Sequence, residues 1–280
     1  MTGARAMQDV IDRAHVVAAE AMVPRHRERA LLGIVWALAA VLFVAVGHDL
    51  GFSLPRLFAG LLRLGHLFAL AWPPTADGQA LVIVIALGQT VAMAFLATIL
   101  VVAFALPLGI LGARTIVAQP IFHFAVRRAF DIGRSVPAMV WAIILVAAFG
   151  LGPRVGVTAI VLSETPHIAK LFAETMENHK RGIIESLQAT GASRLQTLRY
   201  GLIPQVLPLM IGMTLLLFES NIRAAAALGL VGAGGIGVLL DNRIQMLQLN
   251  QVAWIIILFV LLVLAIDIAS QTLRRRLIKS

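Results

Sequence analysis

Long apolar stretches dominate this chain, and their lengths predict its elements. A helix needs about 20 mostly apolar residues to cross the hydrocarbon core of a bilayer. Stretches of this kind, separated by shorter polar segments, predict six membrane spans. They cover residues 31–47, 80–112, 136–151, 155–172, 206–228 and 252–269.

Two further apolar stretches carry charges that argue against simple spans. Residues 54–72 include Arg56, Arg63 and His66, and residues 116–130 include two arginines, 127 and 128, near their end. We expect the first stretch to lie in the membrane interface and the second to form an amphipathic approach to the third span.

The composition supports an all-α integral membrane protein. Hydrophobic residues make up 60% of the 280 positions, charged residues make up 13%, and the mean hydropathy is +0.92. An ordinary soluble domain is about 45–50% apolar and about 25% charged.

The net charge of +9 follows from topology. If the N-terminus is cytoplasmic, 18 of the 23 Lys and Arg residues fall in cytoplasmic segments, as the positive-inside rule requires. We therefore expect both termini in the cytoplasm and the lipid bilayer as the surroundings, with no nucleic-acid partner.

The residues that several kinds of site require are absent from this sequence. The chain has no cysteine, and its seven histidines show no metal-ligand spacing, so we expect neither disulfides nor a metal site. Residues 1–30 carry charges of both signs without the apolar core of a signal peptide. No P-loop pattern is present, and no residue is assigned a catalytic role.

A glycine run near residue 232 satisfies the dinucleotide-binding pattern G-x-G-x-x-G. The pattern has a mechanism only after a strand and with an acidic residue about twenty positions on. Here residues 222–228 are helix formers, and residues 255–260 are apolar. A membrane-bound NAD enzyme therefore rests on the pattern alone.

The polar segment 181–205 has the sequence pattern of two short helices joined by a turn. Gly191 can supply the left-handed residue that ends the first helix. Ser193 and Gln196 form a possible capping box for the second helix, and Pro204 suits the first turn of the next span. Such a helix-turn-helix is either a protruding element that a partner protein binds or an amphipathic loop that lies in the membrane interface.

Ionisable residues inside predicted spans are candidates for function. Glu164, beside Pro166 and His167, either lines a pathway or accepts a bond from a neighbouring helix at a kink. Glu219 and Arg223 are spaced for an ion pair that either attracts an anionic solute or holds an outer gate as scaffold. Asp267 is expected to snorkel or to meet Arg274, and it is assigned no role.

The segment 181–205 resembles the cytoplasmic coupling motif of ABC importer permeases, which reads E-A-A, three residues, G, nine residues, I-x-L-P. Glu185, Gly191 and Pro204 stand at matching positions. The chain departs from the motif at four others: Ser186, Leu187, Gly201 and Ile203.

The resemblance continues on both sides of that motif. Arg134-SVPAMVWAIILVAAFGLGP, Phe218-ESNIRAA and LGLVGAGGIG resemble the phosphonate ABC transporter permeases, the PhnE family. The similarity covers about residues 80–272. In that family the glycine run follows the fifth span and binds no nucleotide, so it implies a tight turn and close helix packing.

The resemblance implies six transmembrane helices: a type I ABC importer permease (MetI-like) core, an extra N-terminal span and cytoplasmic coupling helices. Its domains would be a cytoplasmic segment 1–30, a first helix and interfacial segment 31–79, the permease core 80–272 and a basic tail 273–280. Coupling to the ATPase would fall to Glu185, Ser186, Leu187, Ala189, Gly191, Ala192, Ser193, Arg194 and Pro204. Pathway or gate candidates are Glu164, His167, Glu219, Asn221, Arg223, Gly232, Gly234, Gly235 and Gly237.

The resemblance also implies that the chain lies in the bacterial inner membrane and works with several partners. They are a second permease copy, identical or a close paralogue, a cytoplasmic ATPase dimer and an external phosphonate-type solute-binding protein. ATP and Mg²⁺ would be bound by the ATPase subunits, so this chain itself would need no cofactor. The solute could be a phosphonate, phosphite, phosphate or a different small solute, and a secondary transporter is a weaker alternative because inverted repeats are not evident.

Overall fold

Runs of Leu, Ile, Val and Ala in a bilayer leave the backbone amides no partners except one another, which favours helices. The computed structural model describes residues 26–49, 51, 53–114, 119–178, 189, 191–193 and 196–279, and within these residues no strand occurs. The chain divides after Leu67 into two units.

Two helices are described in the first unit, and the second of them extends three residues past Leu67. Helix α1 is His26–Asp49, and α2 is Leu54–Leu70. The α1 side chains of residues 31–46 are all exposed, although most are apolar. A helix that is apolar on all sides suits lipid surroundings.

The second unit is built from seven helices in the part of the chain that the structure describes. They are α3 (Ala80–Gly112), α4 (Pro120–Gly133), α5 (Ala138–Phe149), α6 (Pro153–Glu177), α7 (Ile203–Gly229), α8 (Ile236–Gln245) and α9 (Leu249–Lys279). A π-helical turn, Thr197–Leu202, runs directly into α7.

Helices α3, α6 and α7 form the centre of this unit. Val101, Phe172 and Val206, one from each helix, are buried in the same apolar cluster. The start of α6 and the end of α7 meet beside the glycine run, and we call this side the glycine end. The opposite side, where α3 and α6 end and α7 begins, is the loop end.

Each of the six predicted spans coincides with a helix. Among the described residues, α3, Arg199–Gly229 and Leu249–Arg276 are long and apolar enough to cross a membrane. The span predicted at 136–151 corresponds to α5, which meets α4 at an angle of 74°. Together α4 and α5 are long and apolar enough for one broken span, so the structure joins the predicted approach segment to the span that follows it.

Two of the six spans remain predictions. The apolar part of α1 is Leu31–Gly47, which is shorter than the three helices above. Helix α6 has 25 residues, but Glu164, His167 and Lys170 lower its hydropathy. Many α6 side chains are nevertheless buried against α3 and α5, because α6 lies inside the helix packing.

Candidate coupling and translocation sites

We call residues 181–205 the coupling segment, after the motif that they resemble. Its described part has the predicted turn and cap. Gly191 has a φ of +81°, in the left-handed region that favours glycine. The Ser193 backbone N–H donates to Gln196 Oε1 at 2.8 Å, and the Gln196 N–H donates to Ser193 Oγ at 3.4 Å. This reciprocal pair is the predicted capping box. Ala189 and Ser193 are exposed and Ala192 is half-buried, whereas Glu185, Ser186, Leu187 and Arg194 lie outside the described residues.

The helix that follows the cap differs from the sequence prediction. A second short helix, separate from the next span, was expected. Instead the chain passes through the π-helical turn Thr197–Leu202 into α7 without a break. Pro204 is the second residue of α7, where its missing N–H needs no partner, as predicted. The described residues from Gln196 onward therefore run continuously into α7, and the Thr197 N–H donates to the Ser193 carbonyl at 2.9 Å.

An ion network at the loop end holds the last turns of α6 against α4. Arg127 Nη2 lies 2.7 Å from Glu177 Oε2, and Arg127 Nη1 lies 3.5 Å from Glu174 Oε1. One turn deeper, Lys170 Nζ lies 2.6 Å from Asp131 Oδ1. The sequence analysis missed these pairs. They fix the end of α6 from which the coupling segment departs.

Glu164 lies beside the bend between α4 and α5. Its side chain is half-buried, and the His167 side chain is exposed. The neighbouring Ser163 Oγ donates to the Val136 carbonyl at 3.3 Å, which brings the bend against the middle of α6. Pro166 lies within α6, which continues through it. This placement is compatible with both interpretations of Glu164.

The predicted ion pair near the glycine end of α7 is present. Arg223 Nη1 donates to Glu219 Oε1 at 2.7 Å. The Glu219 side chain is only 14% exposed, whereas Arg223 is 51% exposed, so the cation faces outward over a largely covered carboxylate. In α9, by contrast, Asp267 accepts from Gln271 at 2.9 Å instead of meeting Arg274, because Gln271 is one turn away on the same face.

Asn221 lies between these two residues in sequence but on the opposite side of α7. It is fully buried, and its Nδ2 donates to Thr98 Oγ1 of α3 at 2.9 Å. Within this chain Asn221 therefore belongs to the packing between α3 and α7 instead of an open surface.

The glycine run forms a tight turn between α7 and α8. Gly232, Gly234 and Gly235 all have φ between +71° and +94°. A Cβ on Gly237 would lie 2.0 Å from the Ala226 carbonyl oxygen, so the two helix backbones are in contact there. A helix, α7, precedes the run where a dinucleotide site would have a strand. The structure confirms that the run serves a turn and close packing.

Two polar contacts at the glycine end join the segment before α3 to the start of α9 and the end of α8. Asp77 accepts from Thr75 Oγ1 at 2.8 Å and from Gln251 Nε2 at 3.0 Å. These two hydrogen bonds, that from Gln251 first, lower the pKa of Asp77 below its ordinary value of 3.8. Arg243 donates to Gln248 at 2.8 Å and also to Gln79. The sequence analysis did not find this cluster.

The helices and the two ends described above define a class of protein. Apolar helices long enough to cross a bilayer surround a buried core, and a capped polar segment leaves that core at one end. A cation sits on a helix near the other end. This arrangement is that of a multi-pass helical membrane protein.

Comparison with known proteins identifies the family. Residues 105–279 match the model of the binding-protein-dependent transport system inner membrane component family, and the chain belongs to that family. It is 35% identical to the putative phosphite transport system permease protein HtxC of Stutzerimonas stutzeri over 87% of this chain and 82% of the relative. It is 34% identical to the phosphate-import permease protein PhnE of Mycolicibacterium smegmatis over 79% of this chain but only 42% of that longer protein.

A solved structure has the same fold. An inward-facing form of the MetNI methionine ABC transporter matches 72% of this chain and 99% of its own, with a TM-score of 0.64 and 22% identity. The chain is thus the permease component of an ABC importer, with a MetI-like fold, in the inner membrane.

Proposed function

We propose that this chain forms the path for a phosphorus oxyanion, such as phosphite, a phosphonate or phosphate, in a binding-protein-dependent importer. The proposed substrate class rests on the similarity to permeases named for phosphite transport and phosphate import, at 35% and 34% identity. A second permease copy completes the path, a separate ATPase dimer supplies energy, and an external binding protein delivers the solute.

Uptake into proteoliposomes tests the substrate class. The permease is reconstituted with its ATPase and loaded binding protein, and labelled phosphite, methylphosphonate, phosphate and sulfate are compared. We expect ATP-dependent uptake of at least one phosphorus oxyanion in preference to sulfate. Uptake that proceeds without the ATPase would instead indicate a secondary transporter, and preference for sulfate would contradict the proposal.

The charge distribution supports a cytoplasmic loop end and a cytoplasmic C-terminus. Lys and Arg near the ends of spans are retained in the cytoplasm. In the second unit, three arginines of the described residues lie toward the glycine end: Arg154, Arg223 and Arg243. Ten basic residues lie toward the loop end: Arg114, Arg127, Arg128, Arg134, Lys170, Arg199, Arg274, Arg275, Arg276 and Lys279.

Single cysteines test this orientation, because the chain contains no cysteine of its own. Ser193→Cys at the loop end should react with an impermeant maleimide only from the cytoplasmic side. Met246→Cys, which is exposed at the glycine end, should react in intact cells. The reverse pattern would remove the coupling role of the loop end.

The exposure of the segment around Gly191 and the continuous helix that follows it support the proposed coupling role. An ATPase subunit can bind an exposed capped turn. A displacement of that turn would then be transmitted to α7. The nine coupling residues keep the roles that the resemblance implies, with Gly191 shaping the turn and Ser193 capping the helix.

A matched pair of glycines separates coupling from stability. Gly191 and Gly150 both have φ +81°, and a Cβ at either position meets nothing within 4 Å. Gly191→Ala should cost about 1–2 kcal/mol of backbone energy. Gly150→Ala should cost at least as much, because Gly150 also has a ψ of 179°, a conformation that essentially only glycine adopts. Only Gly191→Ala should reduce ATP hydrolysis stimulated by the binding protein. Equal stimulation in the two variants would contradict the coupling assignment.

The pair Glu219–Arg223 is proposed to lie at the outer part of the path. A half-exposed cation that is partly neutralised by a carboxylate attracts an anion without trapping it. Arg223→Lys should then keep much of the uptake, and Arg223→Gln should lose more of it than Glu219→Gln. If the pair is only scaffold, both single changes should fail, and the double replacement should recover assembly because no charge is left unpaired.

A further inference from the structure

Two threonines of α3 hold the segment that carries Arg223. Thr98 Oγ1 accepts a hydrogen bond from Asn221 Nδ2 at 2.9 Å, and Thr90 Oγ1 accepts one from the Ile236 backbone N–H at 2.8 Å. Each hydroxyl donates its own proton to the α3 carbonyl four residues earlier, at 2.7 and 2.9 Å respectively. The same arrangement thus occurs twice along one helix.

The two contacts are protected and directional. Thr90 and Thr98 are buried, and so is Asn221, so water does not compete for these hydrogen bonds. Because each hydroxyl proton is already committed to α3, the oxygen presents only lone pairs to the neighbouring segment. The eight-residue spacing puts both oxygens on one face of α3, about 12 Å apart along its axis.

The contacts bracket Arg223 in the chain. Asn221 comes two residues before Arg223, and Ile236 comes after the glycine turn. Successive helical residues are about 100° apart, so Asn221 points to the opposite side of α7 from Glu219 and Arg223. A rotation of α7 that broke the bond to Thr98 would therefore also turn Arg223 away from its present direction.

We propose that Thr98 and Thr90 are positioning residues, which fix the rotation of α7 and of the glycine run so that Arg223 faces the solute. The inference rests on the proposed function in one respect, namely that Arg223 lies in the path of an anionic solute. The positioning itself is a property of α3 and α7 and can be measured without any solute.

The first experiment measures the orientation of α7 directly. Ala227, which is exposed one turn beyond Arg223, is replaced by cysteine in the full complex and labelled from outside with an impermeant maleimide. We expect Thr98→Val to change the labelling rate about threefold, the equivalent of the ~0.6 kcal/mol average for an interhelical hydrogen bond in a membrane. Thr98→Ser keeps the hydroxyl and should restore the original rate.

An unchanged labelling rate in Thr98→Val would overturn the positioning role. If that variant fails to assemble, Thr90→Val removes the other contact and gives an independent measurement, with Thr90→Ser as its control. Failure of both valine variants with rescue by both serine variants would still support a role for the hydroxyls, whereas failure of the serine variants too would reduce the site to packing.

The second experiment links the orientation to transport. With the phosphite-loaded binding protein as substrate, Thr98→Val should raise KM about threefold and leave kcat close to the original value. If labelling changes but neither Thr98→Val nor Arg223→Gln affects uptake, the placement of Arg223 in the path is wrong and the positioning stands. If Arg223→Gln raises KM but Thr98→Val does not, the path assignment stands and the proposed link from Thr98 to solute binding is overturned.

Discussion

Gly237→Ala adds one methyl group where two helix backbones touch. Gly237 is the second residue of α8, and its added Cβ would lie 2.0 Å from the Ala226 carbonyl oxygen and 2.7 Å from Gly229 Cα. Both neighbours are backbone atoms of the last turns of α7, so no side-chain rotation can relieve the overlap. Overpacking of this kind typically costs about 1–3 kcal/mol, and a backbone clash belongs at the upper end.

Thermal unfolding of the purified permease in detergent measures this cost. A loss of ~3 kcal/mol should lower Tm by roughly 6–12 °C, because each kcal/mol is worth about 2–4 °C in a chain of comparable size. Gly88→Ala is the control, since it lies in α3 and its added Cβ meets nothing within 4 Å. It should leave Tm unchanged or raise it, because alanine is favoured over glycine inside a helix by roughly 0.5–1 kcal/mol. Equal melting temperatures for the two variants would refute the packing account of the glycine run.

Two further predictions concern the polar contacts at the two ends. Hydrogen bonds depress the pKa of Asp77 below 3.8 in the folded chain, so their stabilisation is present above that pH and is lost as the pH falls through the lower folded value. Gln251→Leu should therefore flatten the acid limb of a plot of Tm against pH, and an unchanged limb would count against the contact. At the loop end, Arg127→Gln should lower stability by about 1 kcal/mol and weaken ATPase stimulation, because Arg127 joins two carboxylates. Arg128→Gln removes only one contact of this network, to Asp131 at 3.4 Å from a side chain that is 63% exposed, so it should have a smaller effect on both. Equal effects would contradict the central role of Arg127.

The features that sequence reasoning predicted correctly depend on neighbours in the chain. The capping box at Ser193 and Gln196 spans three residues, and the pair Glu219–Arg223 spans four. The left-handed Gly191 depends only on its own backbone. In each case the spacing alone determines which atoms can meet once the helix forms, so the pattern is sufficient.

The features that sequence reasoning missed join residues far apart. Arg127 and Glu177 are 50 positions apart, and Asn221 and Thr98 are 123 positions apart. In a soluble helix, the apolar face would show which side packs inward. Here α3 is apolar on all sides, because lipid and protein core are both apolar, so hydropathy does not reveal which threonine faces α7. The sequence analysis did separate α4 from α5, because charged residues lie between their apolar parts, but the pattern gave no angle between them and so did not reveal the 74° bend.

The helix that contains α7 extends from the loop end to the proposed position of Arg223 in the outer part of the path, and so gives the proposed coupling a direct mechanical route. The helix Arg199–Gly229 contains 31 residues, and at about 1.5 Å per residue it is ~46 Å long. A tilt of about 5° at the capped base of such a rod would move its far end by roughly 4 Å, enough to change a hydrogen-bonded contact near Arg223. A chain of separately moving side chains is therefore not needed to connect the loop end with the region around Arg223. The Thr98 contact lies along this helix, whose rotation it is proposed to fix. Under the proposed function, the loop end would receive the ATPase and Arg223 would receive the solute, so both would act on the same helix.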